Sequence, residues 1–172
     1  ILFDGAWLWV EYFWTILKDA ELGGKNFVHP TNKNRKGGIR LFDNSLDPED
    51  SSFKKCFRRI YPDFYCENSR EDSNDGIILD AKYKRLENGL IRDDLYQIIS
   101  YMHTMKISTG GFVYPQKENE ELAEQKPTKY LLANDTGIIK TFGFVIPQNE
   151  NIYLSFKGKM KYIEDNLKNY LT

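Results

Sequence analysis

"GIILDAKYK", Gly76 to Lys84, is the stretch on which the reading of this chain turns. Four apolar or small residues open a strand that then carries Asp80 and Lys82 two positions apart. Side chains alternate across a strand, so these two project from one face and Ala81 points to the other. An acid and a base share one surface.

Upstream, "YPDFYC" (Tyr61 to Cys66) reads as a second strand, separated from the first by "ENSREDSND", whose Asn, Asp and Ser content is hairpin or loop chemistry. Before it lie "GIRLF" (Gly38 to Phe42), a further expected strand, and a loop containing "DNSLDPEDSS" and the basic "KKCFRR". The opening segment, Ala6 to Ala20, has Trp7, Leu8, Val10, Phe13, Trp14, Ile16 and Leu17 at helical spacings and reads as a buried helix. Glu11 falls on the face of Trp7, Leu8, Trp14 and Thr15, an expensive place for a carboxylate unless something pairs with it.

Downstream, "DDLYQIISYMHTM" restores the helical period, with Leu95, Ile98, Ile99, Met102 and Met105 on one face and Asp93 or Asp94 able to cap the start. "GGFVYP" reads as a strand closed by Pro115, and "KENEELAEQKPTK" as a charged excursion in which Pro127 limits any helix. The tail offers "IIKTFGFVIP" and "NIYLSF" as strands, then "GKMKYIEDNLKNYL" as an amphipathic helix with Met160, Ile163, Leu167 and Leu171 inward. The order is mixed α/β: helix, three strands, helix, strand, then a strand-rich extension with a closing helix.

With 172 residues and 41% hydrophobic content, the chain has material for one domain with a sizeable core. A net charge of -1 argues against a general nucleic-acid coat protein. The basic patches Asn32 to Lys36 and Lys54 to Arg59, each taken alone, read as solvated loops. Cys56 and Cys66 are the only cysteines, with no CxxC and no His cluster, so neither a disulfide framework nor a zinc site has support and a cytoplasmic setting is expected. No apolar run is long enough to span a bilayer. Because the chain opens on Ile1, it is expected to be the C-terminal fragment of a longer subunit.

Paired strands bring Asp63 and Asp80 to one end of a sheet. Oxygen ligands of this kind suit Mg²⁺, with Mn²⁺ as a substitute. Lys82 would stand beside the metal, orienting or deprotonating a water and stabilising charge on a phosphodiester. Glu11 could enter the same site from the first helix, as a ligand or through a bound water. Gln97 and Tyr101, four residues apart on the second helix, share one flank and could hold the lysine, a water or a phosphate. Each piece alone is ordinary: a D-x-K triplet occurs on strand edges, and Gln97 with Tyr101 is a common polar boundary. Their joint occurrence in this order favours a site.

The order of "YPD", "DAK" and "QIISY" resembles the PD-(D/E)xK nuclease core with its Q-x-x-x-Y extension. Within that superfamily, "LFDGAWLWVEYFWTIL", "YPDFYC", "IILDAKYK" and "DDLYQIISYMHTM" are similar to the McrC-type nuclease subunit of GTP-dependent, modified-cytosine restriction systems. The resemblance runs from about Leu2 to Pro115, and a single domain of residues 1–172 is expected, with a restriction-endonuclease-like core to about 115 and an extension from about 116.

It implies that Asp63 and Asp80 bind Mg²⁺, with the Ala81 carbonyl as a further ligand. Lys82 would be the catalytic lysine, Gln97 and Tyr101 the accessory pair, and Glu11 the helix carboxylate; similar sequences show two acids in succession where this chain has Val10 and Glu11.

The implied activity is Mg²⁺-dependent DNA endonuclease cleavage. The implied partners are double-stranded DNA, modified in such systems, and a McrB-like AAA+ GTPase engaged through an upstream region. A dimer or two colliding complexes could supply the second active site that a double-strand break needs. No "GxxxxGK[ST]" is present, so GTP binding is not expected here. Two alternatives stay open: a catalytically inactive nuclease-fold module that binds DNA or assembles, and a stand-alone repair-type nuclease.

Overall fold

In the computed structural model, which describes residues 4–30, 38–42, 59–67, 76–84, 89–117, 126–148 and 150–171, every residue of the strand Gly76–Ala81 is buried. A strand with no solvent-facing side needs neighbours on both edges and cover on both faces. The chain order that supplies them is α1 (Gly5–Leu17), a hairpin of β1 (Glu21–Leu22) and β2 (Lys25–Asn26), β3 (Ile39–Arg40), β4 (Arg59–Ile60), β5 (Phe64–Glu67), β6 (Gly76–Ala81), α2 (Arg92–Met105), β7 (Thr109–Gln116), β8 (Thr128–Leu131), β9 (Ile138–Val145) and α3 (Tyr153–Leu171).

The main sheet has five strands in the order β5-β6-β7-β9-β8. β6 pairs antiparallel with β5, Phe64 opposite Leu79, and parallel with β7. β7 runs parallel to β9, and β8 closes the sheet antiparallel to β9. α2 is thus the crossover between two parallel strands.

Alternation along β6 divides the core in two. Leu79 and Ala81 join Trp9, Phe13 and Leu17 of α1 and Leu167 and Leu171 of α3. Ile78 joins Ile98, Tyr101 and Met102 of α2, with Phe112 and Ile139. Asp80 has the parity of Ile78 and so faces the α2 layer, where the site is built. Tyr12 Oη donates to Glu164 Oε1 at 2.6 Å and ties α1 to α3.

Several expectations change. α1 is capped by Asp4, whose Oδ1 accepts from the Ala6 and Trp7 amides at 3.1 Å each. It is not buried all round: Trp9, Phe13, Ile16 and Leu17 are inward, while Trp7 is 56% and Leu8 46% exposed. Glu11 lies on that solvent-leaning side and needs no buried partner.

"GIRLF" contributes only Ile39–Arg40, paired with Arg59–Ile60 apart from the main sheet. Pro115 does not close β7 but sits within it, opposite Phe144. α2 starts after Ile91, with no side-chain cap, so Asp93 and Asp94 are first-turn acids and not caps. On its apolar face Ile99 is exposed. "NIYLSF" is not a strand: α3 begins inside it at Tyr153, with Tyr153 and Leu154 exposed. The expected strand-rich extension is β8, β9 and this long helix; β9 completes the sheet beside β7. Cys66 is a buried free thiol. Cys56, the patch Asn32 to Lys36, "DNSLDPEDSS", Lys54 to Arg58 and most of "ENSREDSND" and "KENEELAEQ" lie outside the described residues.

β7 passes close beneath its neighbours at Gly111, where an added Cβ would stand 2.7 Å from Leu79 Cδ2 and 3.2 Å from the Phe142 ring. At Gly143 the atoms nearest the added one belong to the Gln116 side chain, which can swing aside. Gly111→Ala should therefore cost about 1–3 kcal/mol and Gly143→Ala under about 0.5 kcal/mol in urea unfolding. Equal losses would mean that the β7 packing is not tight.

Candidate active site at the end of the Asp80 strand

Asp63 sits one residue before β5, behind the fully buried Pro62. Carrying the ladder one step beyond Phe64 and Leu79 sets Asp63 opposite Asp80. Residues so opposed lie about 5 Å apart at Cβ, and like charges there repel. The sequence therefore places two acids where a strand pair would not choose them for stability.

The backbone at this strand end is turned to suit them. The Lys82 amide donates to the Val113 carbonyl at 2.9 Å, so the Ala81 amide, one residue earlier, points to the opposite edge and donates to Asp63 Oδ2 at 2.8 Å. The Ala81 carbonyl shares that edge, beside the two acids.

Lys82, just past the end of β6, is held on several sides. Its Nζ lies 2.6 Å from Asp80 Oδ2 and 3.1 Å from Asp94 Oδ1, and it donates to Gln97 Oε1 at 3.3 Å. Gln97 in turn donates to Tyr101 Oη at 3.0 Å. Asp94 also holds Lys84, Nζ to Oδ2 at 2.5 Å. One flank of α2 thus delivers Asp94, Gln97 and Tyr101 to the lysine, a spacing of three and four residues that keeps them in line.

Burial first, then the charge of Asp80, push the Asp63 carboxyl up to about 6, against the Ala81 amide, Lys82 and His29. Burial also raises Asp80, although Lys82 opposes it. Burial pushes Lys82 down, but its bonds to Asp80 and Asp94 prevail and it is held as an ammonium. Asp94 is raised by burial, yet its two lysine partners bring it below the usual carboxylate range.

Divalent-cation chemistry fits this donor set. Asp80 Oδ2 is buried with the Lys82 ammonium 2.6 Å away as its one charged partner among the described residues. Two buried carboxylates side by side are costly as anions, and a hard cation would offset that cost. Among the described residues no group of three or more His, Cys, Asp or Glu could hold a metal. The available ligands are two carboxylates and the Ala81 carbonyl, a set suited to Mg²⁺ with waters and a substrate phosphate filling the remaining positions.

Of the residues expected from sequence, Asp63, Asp80, Ala81, Lys82, Gln97 and Tyr101 are brought together. Glu11 is not among them: its Oε1 is 3.9 Å from His29 Nε2. His29 Nδ1 lies 2.7 Å from the Asp63 carbonyl. A carbonyl only accepts, so Nδ1 carries a proton and donates. The ring packs against those of Trp14 and Phe64, at 5.5 and 5.1 Å, which are themselves stacked 6.3 Å apart. Glu11 thus reaches the acid pair through a histidine that props the Asp63 backbone. Sequence reasoning missed His29, a lone histidine in a polar stretch, and Asp94, whose signal was its spacing of three from Gln97.

Fold and site together define a mixed α/β domain that presents two facing acids and a clamped lysine at the end of its central strands. The chain belongs to the McrBC 5-methylcytosine restriction system component family, whose model matches residues 1–115. It is similar in fold to a chain of the tetradecameric assembly of Thermococcus gammatolerans McrB AAA+ hexamers with bound McrC, with a TM-score of 0.60 and 15% identity over 96% of this chain. It spans 33% of that chain's length. No curated protein matches. Among the described residues no helix is long and apolar enough to cross a membrane.

The raised Asp63 carboxyl makes a signed prediction. Its folded-state value lies above its ordinary one, so its penalty is absent below pH 4 and complete above about pH 6. Asp63→Asn, which keeps an acceptor for the Ala81 amide, should raise the unfolding midpoint in EDTA at pH 8, by about 2–4 °C for each kcal/mol of repulsion relieved. The gain should vanish near pH 4. A pH-independent difference would show that Asp63 is not under charge stress.

Proposed function

We propose that this chain is the nuclease domain of a McrC-type subunit, a Mg²⁺-dependent DNA endonuclease that hydrolyses phosphodiester bonds. The observation that carries the reading is the meeting of Asp63, Asp80 and Lys82 at the end of β5 and β6: Asp63 Oδ2 accepts the Ala81 amide at 2.8 Å, and Lys82 Nζ lies 2.6 Å from Asp80. A restriction-endonuclease-like core of this kind needs those three groups together and little else.

Asp63, Asp80 and the Ala81 carbonyl would hold Mg²⁺, or Mn²⁺ in its place, which when bound supplies a polarised phosphate and a water of lowered pKa. Lys82 remains an ammonium, so its part is to donate: it orients the attacking water and neutralises charge as it builds on the phosphate. Gln97 and Asp94 fix the position of its Nζ, and Tyr101 fixes Gln97. Glu11 and His29 support the Asp63 backbone from the α1 side.

In the Thermococcus gammatolerans assembly, McrC is bound to McrB AAA+ hexamers. We extend that pairing to this chain: a McrB-like GTPase would bring modified double-stranded DNA to the site. A net charge of -1 is consistent with DNA affinity supplied by a partner.

In the full-length subunit reconstituted with its GTPase partner, Lys82→Ala and Asp80→Ala should each lower DNA cleavage by about 10²–10³-fold or more while GTP turnover continues. Cleavage at the wild-type rate by either variant would overturn the reading.

A further inference from the structure

A groove of about 310 Å³ opens beside the site, lined by Tyr83, Lys84, Pro115, Gln116, Lys117, Ile146 and Gln148. These residues lie at or just past the carboxyl ends of β6, β7 and β9, three mutually parallel strands. Ligands of open α/β sheets bind at such ends. The groove starts at the residue that follows Lys82, and among the described residues that line it none is acidic.

Tyr83 is the aromatic member of the lining. Its side chain is 59% exposed, yet one side of the ring is backed. A Cβ on Gly5 would stand 2.7 Å from Tyr83 Cε1, and the Trp9 ring centroid is 6.0 Å away. The missing side chain at Gly5 lets the ring lie against the start of α1. An aromatic ring fixed from behind, open in front and flanked by lysines and amides is a platform for a nucleobase with its phosphate.

We infer that this groove holds the nucleotide flanking the scissile phosphate, with its base unpaired and stacked on Tyr83 and its backbone phosphate on Lys117. The inference rests on the nuclease reading and narrows its substrate: the cut strand is engaged locally as single-stranded DNA. Lys84, already held by Asp94, is a lesser phosphate contact than Lys117.

The test uses the full-length subunit with its GTPase partner in EDTA, so that binding is read without cleavage, and oligonucleotides carrying 2-aminopurine at each position around the cut. Wild type should quench the probe at one position. Tyr83→Phe should keep the quenching. Tyr83→Leu, which preserves apolar packing on Gly5 and Trp9, should abolish it and weaken binding about 5- to 100-fold. Lys117→Ala should lower the salt slope of binding by about one.

Unchanged quenching and affinity in Tyr83→Leu would overturn the groove assignment, even in a complex that still cuts. Because quenching needs no cleavage, Lys82→Ala separates the two readings. Wild-type cutting by that variant would count against the nuclease and not against the platform.

Discussion

Two carboxylates facing each other across the end of an antiparallel strand pair set the terms for this structure. Asp63 and Asp80 are placed by the register of β5 on β6, and their proximity is unfavourable in an otherwise apolar setting. The surrounding groups answer that cost one by one. The Ala81 amide bonds Asp63, and Lys82 is drawn against Asp80. Asp94 then balances the lysine, and Lys84 balances Asp94. Three acids against two lysines leave the cluster short of positive charge, which is the condition for attracting a divalent cation.

The layering of the fold makes that cluster possible. One face of the sheet is closed by α1 and α3 around Phe13, Phe64 and Phe144. The other carries α2, whose flank supplies the polar residues while Ile98 and Met102 fill the core. Since β6 alternates, its odd residues build the first layer, and Asp80 falls to the second at the point where the apolar contacts of α2 give way to Asp94. Site and core are two parities of the same strand.

Much of this is legible in the sequence. "GIILDAKYK" announces a buried strand ending in charge, "YPD" a strand entry, and "DDLYQIISYMHTM" a helix by its period. The illegible parts share a cause: their conformation is decided by distant partners. "TKYL" is exposed throughout and becomes a strand only because β9 offers an edge. "NIYLSF" has the aromatic and apolar content of a strand, yet its second half starts α3, where Glu150 takes the side chains of Ser155 and Lys159. Asp94 has the local spacing of a cap, but its actual partners are ten and twelve residues upstream. Glu11 calls for a buried partner only if the apolar residues around it point inward, whereas Trp7 and Leu8 face out.

The proposed chemistry requires Asp63 and Asp80 to form one divalent-cation site beside Lys82. One calorimetric titration decides it: Mn²⁺ into this chain and into an Asp63→Ala/Asp80→Ala double variant, at pH 8, above the titration of Asp63. The wild-type chain should show a saturable site that the double variant lacks. Identical isotherms for the two would contradict it.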